Sequence, residues 1–242
     1  MKTAPRAREV AVSDKVIARG ITVSGPWGPV YGPVDVEIDA GGVTVLVCPS
    51  GSGRTALLMT LAGRMKPQSG SLSVFGRTDV DDIFRSAALA GFDELDAVAE
   101  SVTVADLVTE QLRWDAAWYR LVRRAGPADV DAVCGPVFGE LPSPPLDEFV
   151  EELSESDRLL LRIALANTKR PPLLVVGDLD HVTSDRHRET VLNRLIALGE
   201  TQTVVTTTVN GVSHDGVRAQ LEVANTSREE LVAAQKGRQK GR

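Results

Sequence analysis

The sequence is poor in the residues that form covalent cross-links and soft metal sites. Its 242 residues include only two cysteines and three histidines. Cys48 and Cys134 are too far apart in the chain to form a metal-ligand spacing, and one pair provides no disulfide framework. These absences exclude a cysteine-stabilised scaffold and favour a reduced, cytoplasmic protein.

Long apolar runs are also missing. No run approaches the ~20 residues that cross a bilayer, and the longest, such as residues 43–47 and 173–176, have the length of buried strands. The N-terminal residues MKTAPRAREV contain no apolar signal core, so export is not expected. We therefore predict a chain without a membrane span of its own.

An excess of positive charge is absent as well. The chain has 27 Lys and Arg residues against 33 Asp and Glu residues, which gives a formal net charge of −6. A broad basic surface is the usual footprint of nucleic-acid binding. We therefore predict that nucleic acid is not a partner.

What the chain does have is an alternation of strand-like and helix-like segments. VIARGITV, PVDVEI, VTVLV, SLSVFG, LLVVG and TQTVVTTTV read as strands. TALLMTLAGRM, LSESDRLLLRIALANTK and ETVLNRLIALG have helical spacing of apolar residues, with Ser154 and Asp157 as a predicted capping box. This alternation predicts an α/β fold with a mostly parallel sheet.

The strand VTVLV runs directly into CPSGSGRT, residues 48–55. The phosphate-binding loop pattern is G-x-x-x-x-G-K-[ST]. Gly53 and Thr55 match it, whereas Cys48 stands for the first glycine and Arg54 for the lysine. A strand before the loop and a helix after it are the context that this motif requires. We interpret the stretch as a phosphate loop and not as an ordinary glycine turn.

Five segments in order resemble the ATP-binding subunit of ABC transporters, over residues 15–225. They are VTVLVCPSGSGRTALLMTLAG, KPQSGSLSVFG, ELSESDRLLLRIALA, PPLLVVGDLD and TQTVVTTT. The resemblance implies an N-terminal antiparallel β subdomain and a helical insert. It divides the chain into an extension (1–14), an ATP-binding core (15–94 and 154–225), a helical subdomain (95–153) and a flexible basic tail (226–242). The ELS…R…ALA helix argues against a stand-alone phosphate-loop enzyme such as a kinase.

The resemblance implies which residues hold ATP and Mg²⁺. Thr55 would supply a hydroxyl to Mg²⁺, and Trp27 or Tyr31 would stack on adenine, unless these aromatic residues only plug a hairpin. Arg54 keeps the charge of the lysine but is longer, planar and forked. The residues expected at the nucleotide are Ser50, Gly51, Ser52, Gly53, Arg54, Thr55, Tyr31 and Ser154.

The family carries a metal-binding Asp after four apolar strand residues, then a catalytic Glu. Here these positions hold Gly177 and Asp178. Asp178 is expected either to replace the Glu or, by a one-residue slip, to bind the metal, which would leave Leu179 at the base position. Asp180 is a nearby spare carboxylate. We expect that the three changes Arg54→Lys, Gly177→Asp and Asp178→Glu together raise turnover.

Three further departures concern the groups around the γ-phosphate. The signature LSGGQ is LSESD here, where Ser154 is retained and Glu155 and Asp157 are predicted to stabilise their own helix. The family's glutamine is missing, with Asp93 or Glu94 nearest. Its histidine is replaced by Thr207 or Thr208, which cannot relay a proton near neutral pH.

The resemblance therefore predicts an ATP-binding subunit with weak hydrolysis. It would lie in the cytoplasm on the inner face of the membrane, bound to an integral membrane permease. It would pair with a second ATP-binding subunit as a homodimer or a heterodimer. The alternative is a non-hydrolysing regulatory pseudo-ATPase that partners a more complete subunit.

Overall fold

A computed structural model of the chain describes residues 14–26, 28–48, 53–92 and 101–223. The described strands are β1 (Lys15–Gly25), β2 (Gly28–Asp39), β3 (Gly42–Val47), β4 (Ser69–Val74), β5 (Ala87–Ala90), β6 (Leu173–Asp178), β7 (Thr203–Thr208) and β8 (Val217–Glu222). The described α-helices are α1 (Arg54–Leu61), α2 (Val80–Arg85), α3 (Val104–Asp115), α4 (Pro127–Phe138), α5 (Glu155–Ala166) and α6 (Asp185–Gly199). Two 3₁₀ turns, Val150–Glu152 and Leu179–His181, complete the list.

The strands form two sheets. The first is antiparallel, in the order β2-β1-β4, and the second has five parallel strands in the order β5-β6-β7-β3-β8. Parallel neighbours need crossover connections, which the intervening helices supply. This architecture confirms the predicted α/β class, with its parallel sheet and N-terminal antiparallel sheet.

Strand β6 is apolar on both faces because each face covers a separate core. In β6, Leu174 and Val176 pack with the helices α3–α6, whereas Leu173 and Val175 pack with α1 and the antiparallel sheet. Period-two alternation between two buried faces explains why LLVV reads as a continuous apolar run. The parallel sheet is therefore the layer that holds the two cores together.

Helices α3 and α4 lie within the predicted helical insert. Thr103 begins α3 with the capping box that it forms with Asp106, and Pro127 begins α4 as its first residue. The domain boundaries themselves stay predictions, and the predicted extension and tail lie almost wholly outside the described residues. In the described part of the chain, no helix has the length and apolar character that a bilayer crossing requires.

One predicted helix begins earlier than expected. The apolar spacing of ETVLNRLIALG predicts a start at Glu189, but α6 begins at Asp185. Ser184 caps it, since its hydroxyl accepts a hydrogen bond from the backbone N–H of His187 at 3.4 Å. The cap adds a polar first turn that apolar periodicity does not reveal.

Candidate functional site

The site begins where β3 leads into α1. Gly53 precedes the helix with a φ of 112°, a left-handed conformation that favours glycine. A Cβ at Gly53 would lie 2.8 Å from the Cβ of Tyr31 and 2.9 Å from the carbonyl oxygen of Val30. Glycine is therefore required both by the backbone conformation and by the close approach of β2. The predicted loop residues Ser50, Gly51 and Ser52 lie outside the described residues.

The N-terminus of α1 is suited to an anion. Its first turn contains no acidic residue, and no side chain among the described residues caps its N–H groups. Unpaired N–H groups and the helix dipole favour a negative ligand at this end. Thr55 is the second residue of α1 and is half-buried. These features are those expected at the start of a phosphate-binding helix.

Arg54, the first residue of α1, is held by two carboxylates. Its Nη2 lies 2.5 Å from Asp178 Oδ2, and its Nη1 lies 3.3 Å from Asp180 Oδ2. The side chains of Arg54 and Asp178 are only 16% and 9% exposed, so water screens this pair weakly. We call Arg54, Asp178 and Asp180 the arginine clamp.

The two carboxylates of the arginine clamp are also fixed by backbone groups. Asp178 Oδ1 accepts a hydrogen bond from the N–H of Asp180 at 3.0 Å, and Asp180 Oδ2 accepts one from the N–H of Val209 at 2.5 Å. Burial raises the pKa of the Asp178 carboxyl, whereas the Asp180 amide and the Arg54 guanidinium act in the opposite direction. The clamp therefore joins α1 to the ends of β6 and β7.

A bulge at the end of β6 sets the position of Asp178. Val175 pairs with Val205, but the next pair in register is Asp178 with Thr207. Three steps along β6 therefore match two along β7, and one residue is extra. The extra residue carries Asp178 to the place that residue 177 would otherwise take. This shift has the size of the one-residue slip that the sequence left open, in which Leu179, here fully buried, would stand at the base position. The role of Asp178 stays a prediction.

Residue 177 must be glycine because the backbone of Gly91 packs directly against it. A Cβ at this position would lie 2.0 Å from the carbonyl oxygen of Gly91 and 2.8 Å from its carbonyl carbon. The hydroxyl of Thr206 donates to the carbonyl oxygen of Gly177 at 2.8 Å, which fixes this backbone. A carboxylate at residue 177 would not fit. The expectation that Gly177→Asp helps restore turnover is therefore corrected by the contact with Gly91.

The donors of the site do not fit the magnesium ion that the resemblance implies. Magnesium prefers carboxylate oxygens in near-octahedral geometry, but both oxygens of Asp178 are engaged, by Arg54 and by the Asp180 amide. No three His, Cys, Asp or Glu side chains form a possible metal cluster in the described residues. Of the predicted ligands, Thr55 therefore offers a hydroxyl with no partner among the described residues, and both oxygens of Asp178 are already engaged.

Tyr31 has no free ring face for a base. It is 3% exposed, and its hydroxyl donates to Thr60 Oγ1 at 2.7 Å. Burial raises the pKa of the Tyr31 phenol to about 12. The predicted adenine contact does not fit this burial, and Tyr31 instead belongs to the apolar core between α1 and the antiparallel sheet, as a hairpin plug would. Trp27, the other candidate, lies outside the described residues.

Ser154 caps α5, as the sequence predicts. Its hydroxyl accepts from the N–H of Asp157 at 3.1 Å and lies 2.8 Å from the carboxylate of Asp157, to which it donates. Glu155 accepts from the Thr183 hydroxyl at 2.6 Å and from the Ser184 N–H at 3.2 Å. Hydrogen bonds from the Thr183 hydroxyl and the Ser184 N–H hold the pKa of Glu155 below its usual range. The role of Ser154 at a second subunit's nucleotide stays a prediction.

The threonines that replace the family's histidine are buried. Thr207 and Thr208 are both at most 1% exposed, and Thr208 donates to the carbonyl oxygen of Asn210. Among the groups that the structure describes, none pairs with the Thr207 hydroxyl, and Thr207 stands opposite Asp178 in the sheet. Asp93 and Glu94, the nearest candidates for the missing glutamine, are outside the described residues.

Sequence reasoning missed the partners of these residues. Asp180 was noted only as a spare carboxylate, yet it accepts hydrogen bonds from both Arg54 and Val209. No motif marks Gly91 as the residue that excludes a side chain at Gly177. The sequence contains one feature that could have indicated the arginine clamp. Two acidic residues, 178 and 180, follow a buried apolar run, and the phosphate loop carries an arginine in place of its lysine.

Comparisons with known proteins agree with this geometry. The family model described as "ABC transporter" matches residues 31–184, well over half of the chain. The cytochrome c biogenesis ATP-binding export protein CcmA of Xanthomonas campestris is 28% identical over 181 residues, which cover 74% of this chain and 78% of that protein. The phosphonates import ATP-binding protein PhnC of Bordetella parapertussis is 27% identical over 164 residues, 62% of each chain.

Some matches are shorter. That to CcmA of Cupriavidus pinatubonensis, 40% identical over 68 residues, spans 30% of that protein, so less than two thirds of several relatives is covered. Among solved structures, an ABC transporter ATP-binding protein from Pyrococcus furiosus has a TM-score of 0.65 at 19% identity, covering 86% of this chain and 96% of that one. The likeness to this solved structure concerns the fold alone. The match to the family model confirms the resemblance predicted from the motifs. The chain therefore belongs to the ABC transporter family.

Proposed function

We propose that this chain is an ATP-binding subunit of an ABC-transporter-type complex, with weak intrinsic hydrolysis. Its relatives named above are described as ATP-binding export and import proteins. The anion-suited N-terminus of α1 supports binding of ATP phosphates near Gly53, Arg54 and Thr55. Residues Ser50, Gly51 and Ser52 would supply further backbone N–H groups, as the motif predicts.

The arginine clamp carries the proposal of weak hydrolysis. The only carboxylate that the bulge brings to the start of α1 from β6, Asp178, is paired with Arg54 at 2.5 Å and is not free to activate water. Leu179 stands at the next position and has no proton-accepting group. Loss of one hydrogen-bond contact to a transition state costs about 10²–10³ in rate. The second candidate, a pseudo-ATPase that partners a more complete subunit, rests on the same clamp and on Leu179.

Nucleotide binding is expected to stabilise the isolated chain. At an ATP concentration ten times Kd the stabilisation is about 1.4 kcal/mol, which raises the Tm of a domain of this size by about 3 °C. Thermal unfolding with and without millimolar ATP or ADP measures it. Thr55→Ala should reduce the shift, whereas Thr78→Ala, an exposed change in the turn before α2, should not. No shift with either nucleotide would refute the binding proposal.

The same samples separate the two candidate functions. Since a typical enzyme turns over at about 10 per second, a hundredfold loss predicts a phosphate release rate of about 0.1 per second or less. A measurable rate above the buffer blank supports weak hydrolysis. ATP binding without any release above the buffer blank supports the pseudo-ATPase.

An exposed apolar segment supports the proposal of a membrane permease as partner. Trp114, Trp118, Tyr119 and Leu121 are all largely exposed, Trp118 at 96% and Leu121 at 93%. Trp114 lies in the last turn of α3, and the other three follow it between α3 and α4. Aromatic anchors of this kind dominate protein interfaces. We propose that this segment contacts the permease, which would place the chain at the inner face of the membrane, beside a second ATP-binding subunit.

Removing the exposed anchors is expected to weaken membrane attachment. The variant Trp118→Ser with Leu121→Ser should bind at least about 10-fold more weakly to inside-out membrane vesicles of the source organism, because the loss of a single interface hot spot costs ~2 kcal/mol or more. Flotation of the vesicles measures the bound fraction. Phe84→Ser, which alters an exposed aromatic residue elsewhere, is the control. Equal flotation of the anchor variant and the wild type would exclude this segment as the contact.

A further inference from the structure

A guanidinium group occupies the place where carboxylates of this site could hold a cation. Asp178 and Asp180 both direct an oxygen at Arg54, at 2.5 and 3.3 Å. The remaining oxygen of Asp178 accepts from the Asp180 N–H, and Asp180 Oδ2 also accepts from the Val209 N–H. A divalent ion would have to displace Arg54 from a carboxylate that is 9% exposed.

Strand β6 provides no second carboxylate to this site. The position before Asp178 is Gly177, where the carbonyl oxygen of Gly91 lies 2.0 Å from the site of a Cβ. The position after it is the fully buried Leu179. Among the described residues at this end of the sheet, a metal ion would therefore find the Thr55 hydroxyl and two carboxylates that are both paired with Arg54.

We propose that Arg54 is the fixed cation of this site and that the chain binds a nucleoside triphosphate without a divalent metal ion. The inference rests on the proposed nucleotide binding at α1. A guanidinium has five N–H donors, of which the two contacts to Asp178 and Asp180 use two. The others have no partner among the described residues, and phosphate oxygens match the planar fork of arginine.

The two carboxylates act as positioning residues for Arg54. A free arginine side chain loses rotamer freedom when it binds a ligand, but a clamped one has already lost it. Arg54 is also the first residue of α1, so that its charge adds to the positive end of the helix. The resulting cation is permanent, since arginine is not deprotonated in proteins, and it is covalently part of the chain.

The test is ATP affinity of the full chain with EDTA and with magnesium, measured by isothermal titration calorimetry. We expect the two Kd values to agree within about 3-fold, a difference of less than 1 kcal/mol. Affinity at least about 10-fold tighter with magnesium than with EDTA would overturn this inference and leave the proposed nucleotide binding intact. No binding in either condition would overturn the proposed nucleotide binding and this inference with it.

A variant distinguishes the guanidinium from a general positive charge. Arg54→Lys keeps the charge but loses the fork, so its affinity in EDTA should fall at least about 10-fold and magnesium should restore part of it. Arg85→Lys makes the same change in a 68% exposed side chain on α2 and should have no effect. Affinity of Arg54→Lys in EDTA equal to that of the wild type would overturn the assigned role of Arg54.

Discussion

Replacing Gly177 by aspartate is expected to lower the free energy of unfolding by about 3 kcal/mol or more, and not to restore activity. The cause is steric: a Cβ at this position would lie 2.0 Å from the carbonyl oxygen of Gly91. Both partners are backbone at the ends of β5 and β6, so neither can turn aside as a side chain could. Urea unfolding followed by circular dichroism measures the loss.

Two further glycine substitutions make the result interpretable. Gly177→Ala adds the Cβ without the carboxylate, so it should cause most of the loss if the clash is the cause. Gly135→Ala in α4 is the control, because a Cβ there meets nothing within 4 Å. Alanine is the better helix former by about 1 kcal/mol, so this change should be neutral or stabilising. Wild-type stability in Gly177→Asp, together with raised turnover, would show that the approach of Gly91 is not a constraint.

Asp178→Ala is expected to destabilise the chain by about 3 kcal/mol, the usual cost of removing one partner from a buried ion pair. The change leaves Arg54, 16% exposed, with Asp180 at 3.3 Å as its carboxylate partner. In the double variant Arg54→Ala with Asp178→Ala, the loss in free energy of unfolding should be smaller than the sum of the two single losses by about 1 kcal/mol or more. The reason is that the double variant no longer contains the unpaired charge of Arg54. Urea unfolding of the four proteins completes the double-mutant cycle.

An exposed ion pair provides the comparison for this cycle. Glu37 pairs with Lys15 at 2.8 Å, and the two side chains are 40% and 44% exposed. Exposed pairs contribute about 0–1 kcal/mol, so Glu37→Ala should change stability far less than Asp178→Ala. Strictly additive effects of the Arg54 and Asp178 changes would mean that the arginine clamp does not stabilise the fold.

The sequence by itself determined the elements of the fold and the start of the site. Apolar runs of strand length, helical periodicity and the cap at Ser154 are local features, and each depends on residues within a few positions of one another. The loop motif likewise required only residues 48–55 and the strand and helix beside them. Gly53, predicted at the loop, proves necessary both for its φ of 112° and for the approach of β2.

Only the tertiary structure decided what these residues do. Arg54 and Asp180 are 126 positions apart, and Gly91 follows β5 whereas Gly177 lies in β6. From the sequence, Tyr31 could equally stack on adenine or plug a hairpin, and its burial in the structure favours the plug. The physical reason is that charge pairing and steric exclusion depend on distances that the fold sets, whereas a motif records only residue types and spacing. The bulge in β6 adds one residue, and that single step places Asp178 against Arg54.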